Sequence, residues 1–567
     1  MLDRDHAVPS TIEFQARWED AIEAFDVLRD DLLIDDGLKV ARHKSEMMWL
    51  GANDPPAELV EKCAVRWINL KYGKAASMTT LGVEVSPLSF EEDEVGTARL
   101  EKRVHEAAVL FERLEKAPGH LALYLAGYCG VPRLDWLLRA AEYEAMAPHA
   151  KWFRDKLLSL MATLVGEDSL PEGSTANINT FLPKAFGGVG FRDPVAHHAL
   201  ARLAMLAAAA GELRSITPSG KPPEDVRCVQ GRWSRSNKAM KKWTGEGAGR
   251  NGWPVIQSPD EFFALYADGS FRGRGYQELA TELVLAQDPL DMMKRAKEAV
   301  VQGPQAWMTP VEVAARYRSQ QQIGAACWLN TYEADLPFTE HEHMVALRSW
   351  LMLPPIADLP DEPCVCGNLA PGQMHAMRCK TVRRRLTTGR HDAIQHELIR
   401  ASKAAGLKVE LEPVLRMKEP GPTSKRTDFA ITTAYITTHY DVSVVDQGAP
   451  SYVRRAASED RAAAKQREGL KYRKYAVEME TMGEEIVPVV FEVGGASGDG
   501  VTELLRKIVE AETNRPGFVE GASRRMHAHR VRLSHTLQRH NARMLLAEAA
   551  MRRTRARGAQ GRAGRLL

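Results

Sequence analysis

RTDFAITTAYITTHYDVSVV, residues 426–445, is the stretch that decides the fold of the C-terminal third. It holds two short runs rich in β-branched and aromatic residues, Asp428–Thr433 and His439–Val445, and each reads as a strand. Asp428 and Asp441 stand at or near the starts of these strands, thirteen residues apart. A tight hairpin sets neighbouring strands about 5 Å apart. Two carboxylates at that range can share a Mg²⁺ or Mn²⁺, ions that take oxygen ligands and keep some of their water. Such an ion activates a water and stabilises charge on a phosphodiester. The alternative is a pair of solvated strand-edge acids.

Outward from this pair the pattern alternates between helix and strand. His391–Ala405 is an amphipathic helix with Ile394, Leu398 and Ile399 on one side, and Asp392 with Gln395 can cap its start. Leu407–Leu411 alternates as a strand. Ala456–Glu478 is a long charged helix, Val487–Val493 an apolar strand and Val501–Ala511 a closing helix. The expected order is α-β-β-β-α-β-α. The long helix carries Lys465, Lys471 and Lys474, and a lysine beside a metal can stabilise charge on the phosphorane. Glu397 is a candidate third acid, with Glu410 and Glu412 competing for the role. The glycine-rich GGASGDG at 494–500 lacks the Lys-Ser/Thr of a phosphate loop and reads as a tight turn.

Just upstream stands Cys364-x-Cys366-x8-His375-x3-Cys379. Three thiolates and an imidazole form a tetrahedral zinc set, and so short a loop folds only around its metal. The other four of the seven cysteines are scattered, which suits a reducing intracellular compartment, nuclear or cytoplasmic. The N-terminus has no signal-peptide stretch, and the most apolar run, Ala199–Ala210, contains Arg202 and is too short to span a bilayer. A soluble protein with no membrane partner is expected.

The 567 residues, 44% hydrophobic and 26% charged, suit several globular domains. The net charge of +2 hides an acidic start and a tail with twelve Arg from Arg524 to Arg565 against one acid, Glu548. That tail reads as an arm attracted to polyphosphate. Residues 12–165 read mostly as helix, with a strand-like piece at Thr80–Val85. A loop follows at Gly166–Thr175 and a helix at Pro194–Leu213. Then come a linker at Arg214–Val226, a basic Trp-bearing stretch and a Pro-rich hinge at Leu353–Pro363.

An ordered set of these motifs resembles the C-terminal part of site-specific non-LTR retrotransposon proteins. The set is the cysteine–histidine cluster, Arg390-His391-Asp392-x-Ile394, Arg426-Thr-Asp428, Asp441-Val-Ser-Val-Val445, Glu468-x2-Lys471-x3-Tyr475 and Pro488-Val-Val-Phe-Glu492. The resemblance implies a CCHC zinc knuckle followed by a restriction-like endonuclease of the PD-(D/E)xK type. Asp428 and Asp441 would then hold Mg²⁺ and Lys471 would assist the attack. Thr427 stands where the family has Pro, and Ser443 stands where a lysine two residues after the second acid would be. In these elements that lysine is often displaced to the following helix, which is where Lys471 stands.

Fainter likenesses lie upstream. Asp36-Gly-Leu-Lys39 through Gly51 is similar to the segment after a reverse transcriptase active site, and Thr80-Leu-Gly-Val83 to the next strand. Phe186-Gly-Gly-Val-Gly-Phe191 and Gly324 to Leu329 are similar to the connector. The implied architecture is multidomain: mostly α first, then the knuckle and an α/β domain. Its parts are a palm remnant at 1–51, thumb-like helices at 52–213, a connector at 214–352, the knuckle at 353–380, the endonuclease at 381–512 and the basic tail at 513–567. The polymerase carboxylates have no place in this chain, so the resemblance implies a 5′-truncated frame without polymerase activity. Target DNA and element RNA are the expected partners, contacted by Arg390, His391, Arg426, Arg524, Arg525, Arg530 and Arg532. The competing expectation is an inactive nucleic-acid-binding remnant of the same element.

Overall fold

The computed structural model describes residues 94–140, 143–198, 292–301 and 307–563 apart from short gaps, and parts of 22–85. Its chain divides into two compact units, one of residues 1–110, 132–154 and 194–281, the other of 111–131, 155–193 and 282–567. The palm-like segment at 36–45, most of Pro194–Leu213, the linker at Arg214–Val226 and the basic Trp-bearing stretch after it lie outside the described residues.

In the first unit, the helix Ala57–Val65 buries Leu59 and Cys63 with Ile22 and Ile68. The strand Glu46–Met48 pairs parallel with Asn69–Lys71. The single strand expected over Thr80–Val85 is two, Met78–Thr80 and Val83–Val85, paired antiparallel. Alternation has the same period in one strand and in both arms of a hairpin, so the pattern did not distinguish them.

The second unit centres on a mixed four-stranded sheet, and its elements are numbered here in chain order. Helices α1 (Pro310–Gln320) and α2 (Glu340–Trp350) precede α3 (His375–Arg378) and α4 (Lys380–Ala404). Then come β1 (Lys408–Leu411), β2 (Phe429–Thr432), β3 (Thr437–Val445), α5 (Ala462–Met482), β4 (Glu485–Glu492), α6 (Asp499–Thr513) and α7 (Ala522–Ala563). The order α-β-β-β-α-β-α read from the sequence is the order from α4 to α6, with end points shifted by a few residues. The largest shifts are at helix starts: α4 begins eleven residues before His391, and α5 starts at Ala462 after a separate turn at Val453–Ala456.

The strands lie side by side in sequence order, β1-β2-β3-β4. β1 and β2 run antiparallel, as do β2 and β3, while β4 is parallel to β3. A parallel neighbour requires a crossover, and α5 supplies it. β4 is buried along its length from Ile486, as expected for a strand covered on both faces, whereas β1 is an exposed edge. Ile394 and Leu398 of α4 pack with Phe429, Tyr440, Val489 and Leu504 in one core.

Two expected boundaries move. Residues 310–350, expected in the connector, form α1 and α2 and belong to the second unit. The Arg-rich tail is not a free arm over its described length. α7 buries Leu533, Leu537, Met544, Leu545 and Ala549, and Leu533 and Leu537 join the core of the sheet. These apolar residues lie at helical spacings between the arginines, so one face docks while the charges take other sides. Burial of each such leucine stabilises the domain by roughly 1.5–3 kcal/mol. The arginines that face inward are paired: Arg525 with Glu512 at 2.8 Å, Arg543 with Glu342 at 2.5 Å. Among the described residues no helix is long and apolar enough to cross a membrane.

Candidate active site and metal centre

The β2–β3 register brings the two aspartates together. Phe429 pairs with Tyr440, so Asp428, one residue before β2, lies opposite Asp441. The Asp428 N–H donates to Tyr440 O at 3.0 Å and continues the ladder. Its carboxylate Oδ2 accepts from the backbone N–H of Val442 at 2.5 Å. The same oxygen lies 3.0 Å from His391 Nε2. The bond to Asp428 raises the His391 pKa to about 9, more than burial lowers it, and Asp392 at 3.1 Å from Nδ1 adds to the rise. Gln395, one turn further along α4, donates to Asp428 O at 2.9 Å.

Asp441 is buried within β3. α5 crosses behind it and supplies two partners from one face. Lys471 Nζ forms an ion pair with Oδ2, and Tyr475 Oη donates to Oδ1 at 3.1 Å. Both lie on the same side because residues four apart stack on a helix. Burial next to Asp441 pushes the Tyr475 phenol upward, which keeps it a donor. Lys474 Nζ sits 2.5 Å from Tyr475 Oη, and burial lowers its pKa. The site therefore holds two opposed carboxylates, each already touched by a cation, with Lys471 beside the deeper one.

Thr427, next to Asp428, has a structural role of its own. Its hydroxyl lies 2.9 Å from His439 Nδ1, and His439 Nε2 lies 2.6 Å from Glu484. The His439 ring thus bridges the Thr427 hydroxyl and the Glu484 carboxylate through its two nitrogens. A proline would leave the buried Nδ1 without its partner.

Several expected residues do not join the site. Glu397 is a correction: its carboxylate is held by Arg400 at 2.8 Å and Arg532 at 3.0 Å, tying α4 to α7. It stands six residues beyond His391, about 120° round the same helix, so the two take different sides, and His391 is the one that reaches Asp428. Glu410 is exposed on the edge strand, and Glu412 pairs with Arg426 at 3.5 Å. Glu468, one turn before Lys471 on α5, is buried with its carboxylate accepting from Gly500 N–H at 3.3 Å instead of meeting the aspartates, and burial raises its pKa to about 7. GGASGDG forms the tight turn expected, with Gly495 at φ 110° close against Ala325.

The expected nucleic-acid contacts divide. Arg390 is buried and donates to Asn541 Oδ1 at 2.7 Å. Arg525 and Arg532 are committed to acids, the latter to Glu397, Glu333 and Asp335. Arg530 is half-buried with its stem near Gly324. Arg426 is exposed apart from its contact with Glu412, and Arg524 is 81% exposed, so these two remain accessible to a phosphate.

The cysteine–histidine cluster is the second candidate site. The four ligand atoms of Cys364, Cys366, His375 and Cys379 all lie within 4.8 Å of one another. Tetrahedral zinc with Zn–S near 2.3 Å and Zn–N near 2.0 Å requires ligand–ligand separations of roughly 3.5–3.8 Å. The Cys364 and Cys379 sulfurs are 3.6 Å apart, and Cys366 Sγ is 3.3 Å from His375 Nε2. The donor set and its spacing fit zinc. Gly367, at φ 88°, turns the chain between the first pair and the rest. Arg378, between His375 and Cys379, leaves the knuckle to bind Asp446 at 2.5 Å and Glu312 at 3.0 Å. Asp446 directly follows β3, the strand that carries Asp441.

Between these two sites lies a cleft of about 610 Å³, lined by Met377, Arg378, His391, Asp441, Arg467 and Lys471 among others. Compared with known proteins, the chain matches no family model and no curated protein.

Proposed function

We propose that residues 364–513 are a zinc knuckle joined to a restriction-like, metal-dependent DNA endonuclease, within a retrotransposon-derived protein that nicks its target. The observation that carries this reading is the set of Asp428 and Asp441 opposed on neighbouring strands with Lys471 on the crossover helix behind them. The element order supports it too: α4-β1-β2-β3-α5-β4 is the α-β-β-β-α-β order that the resemblance implies for such a nuclease core.

Asp428 and Asp441 would hold a Mg²⁺ or Mn²⁺ through carboxylate oxygens. That ion supplies a water of lowered pKa and a positive charge for the phosphorane. The chain's own residues do the rest. Lys471 holds Asp441 in place and offers its ammonium to a non-bridging phosphate oxygen, where charge develops in the transition state. Tyr475 fixes the other Asp441 oxygen, and His391 and the Val442 N–H fix Asp428, so neither carboxylate must be reorganised. Zinc at Cys364, Cys366, His375 and Cys379 would be structural, since all four positions of a tetrahedron are filled by protein. Target DNA and element RNA are the proposed partners, reached through accessible cations such as Arg426 and Arg524.

One observation favours a second reading. Lys471 and His391 already neutralise Asp441 and Asp428, so the pair stands without a divalent ion, as a decayed nucleic-acid-binding remnant could keep it. Nicking of supercoiled plasmid separates the two. Zinc-loaded wild type should nick with Mg²⁺ or Mn²⁺, and Asp428→Ala should abolish it. A folded wild type that binds DNA without metal-dependent nicking supports the remnant.

A further inference from the structure

The cleft between the knuckle and the aspartates contains five cations, and four are already committed. Arg378 binds Asp446 and Glu312. Arg390 binds Asn541, His391 binds Asp428, and Lys471 binds Asp441. The fifth is Arg467. It is half-buried, lines the same cleft and forms no ion pair or hydrogen bond among the described residues. It lies four residues before Lys471 on α5, so both side chains stand on one face. Four residues of helix rise about 6 Å, comparable with the separation of successive phosphates along a strand. Pro450 and Tyr452 also line the cleft and present apolar surface on which a base can stack.

We propose that Arg467 binds the phosphate next to the scissile one, making this cleft the subsite for the neighbouring nucleotide on its way toward the knuckle. The proposal rests on the endonuclease reading for the position of the scissile phosphate. It goes beyond that reading in assigning a substrate-binding residue and the direction in which the strand runs. A guanidinium suits the role because it offers two parallel N–H donors to phosphate oxygens, and its charge is not spent on an internal partner. Arg378 also lines the cleft but is neutralised by two acids, so it shapes the path without adding attraction.

Two readouts test it, with full-length zinc-loaded protein. The first is binding of fluorescein-labelled single-stranded and duplex oligonucleotides across a salt series, in Ca²⁺ in place of Mg²⁺. A lost phosphate contact lowers the slope of log K against log salt by roughly 1. Arg467→Gln should show that drop, Arg467→Lys should recover most of it, and Arg473→Gln, exposed on the same helix, should not show it. The second is plasmid nicking, where Arg467→Gln should raise KM several-fold and leave kcat near wild type. An unchanged slope in Arg467→Gln, or an equal drop in Arg473→Gln, overturns the subsite even if nicking is intact. A wild type that never nicks, while Arg467→Gln still loses its slope and Arg473→Gln does not, sinks the nuclease reading and leaves the phosphate contact standing.

Discussion

The knuckle and the aspartate pair are two candidate metal sites whose cleft they share, and they are built on opposite plans. At the knuckle, three thiols and an imidazole converge within 4.8 Å in a short loop, with Cys364 and Cys379 buried. At the aspartates, two hard carboxylates are placed by a sheet, and each is held by a cation from a different helix. On the proposed reading, the first arrangement would depend on zinc for its local structure. The second stands on a core and keeps its acids in place before any ion arrives. Zinc should therefore matter for folding at one site, and magnesium for reaction at the other.

The largest expected effect follows from that contrast. Chelation of zinc, or Cys364→Ser, removes a structural ion of the type whose binding contributes on the order of 10 kcal/mol in small knuckles. Metal content should fall to zero and the melting temperature by about 10 °C or more. Removal of Mg²⁺ should leave the melting curve nearly unchanged. If both ions shift it equally, the distinction between the sites fails.

Next comes the buried ion pair. Asp441→Ala strands Lys471, whose side chain is only 10% exposed, and should cost about 3–5 kcal/mol. Asp441→Ala/Lys471→Met should recover most of that stability while remaining unable to cut. Denaturant melts of the two variants decide the point. Equal destabilisation in both would mean that Lys471 is solvated rather than paired.

Acid and alkali should also separate the sites. Zinc ligands must be deprotonated, so the knuckle loses its ion as pH falls. His391 has its folded-state pKa raised to about 9, above the usual 6.5. Its bond to Asp428 therefore stabilises the fold fully below pH 6.5, and that contribution is lost as pH rises through 9. Solvent screening at a partly exposed ring limits the gain to roughly 1–2 kcal/mol. Comparing wild type with His391→Ala across this range should show the difference shrinking above pH 9; a constant difference would contradict the ionised pair.

The smallest effect belongs to Glu397. Glu397→Gln should loosen the contact between α4 and α7 by about 1 kcal/mol and leave nicking intact. Loss of nicking without loss of stability would restore it as a third acid.

These contrasts show which features could be read from the sequence. β-Branched runs and the thirteen-residue interval placed Asp428 and Asp441 on neighbouring strands, because strand period and hairpin pairing are local. Cysteine spacing placed the knuckle for the same reason. Lys471 came from the helix pattern together with the family resemblance. What local pattern could not give was partner choice across the fold. Glu397 and His391 share a helix, and only packing decides which one meets Asp428. The arginines of α7 looked like an arm because two of their acids, Glu342 and Glu397, lie far away in sequence and the third, Glu512, sits on the preceding helix. Arg467 was passed over because an unspent charge is recognisable only once every other charge has found its partner.

The most direct test is metal-dependent nicking by zinc-loaded wild type beside the charge-balanced Asp441→Ala/Lys471→Met variant. Wild type should convert supercoiled plasmid to the open circle in Mg²⁺ or Mn²⁺, and the equally folded variant should leave it supercoiled. Equal nicking by both, or none by a folded wild type, would contradict an endonuclease centred on Asp428 and Asp441.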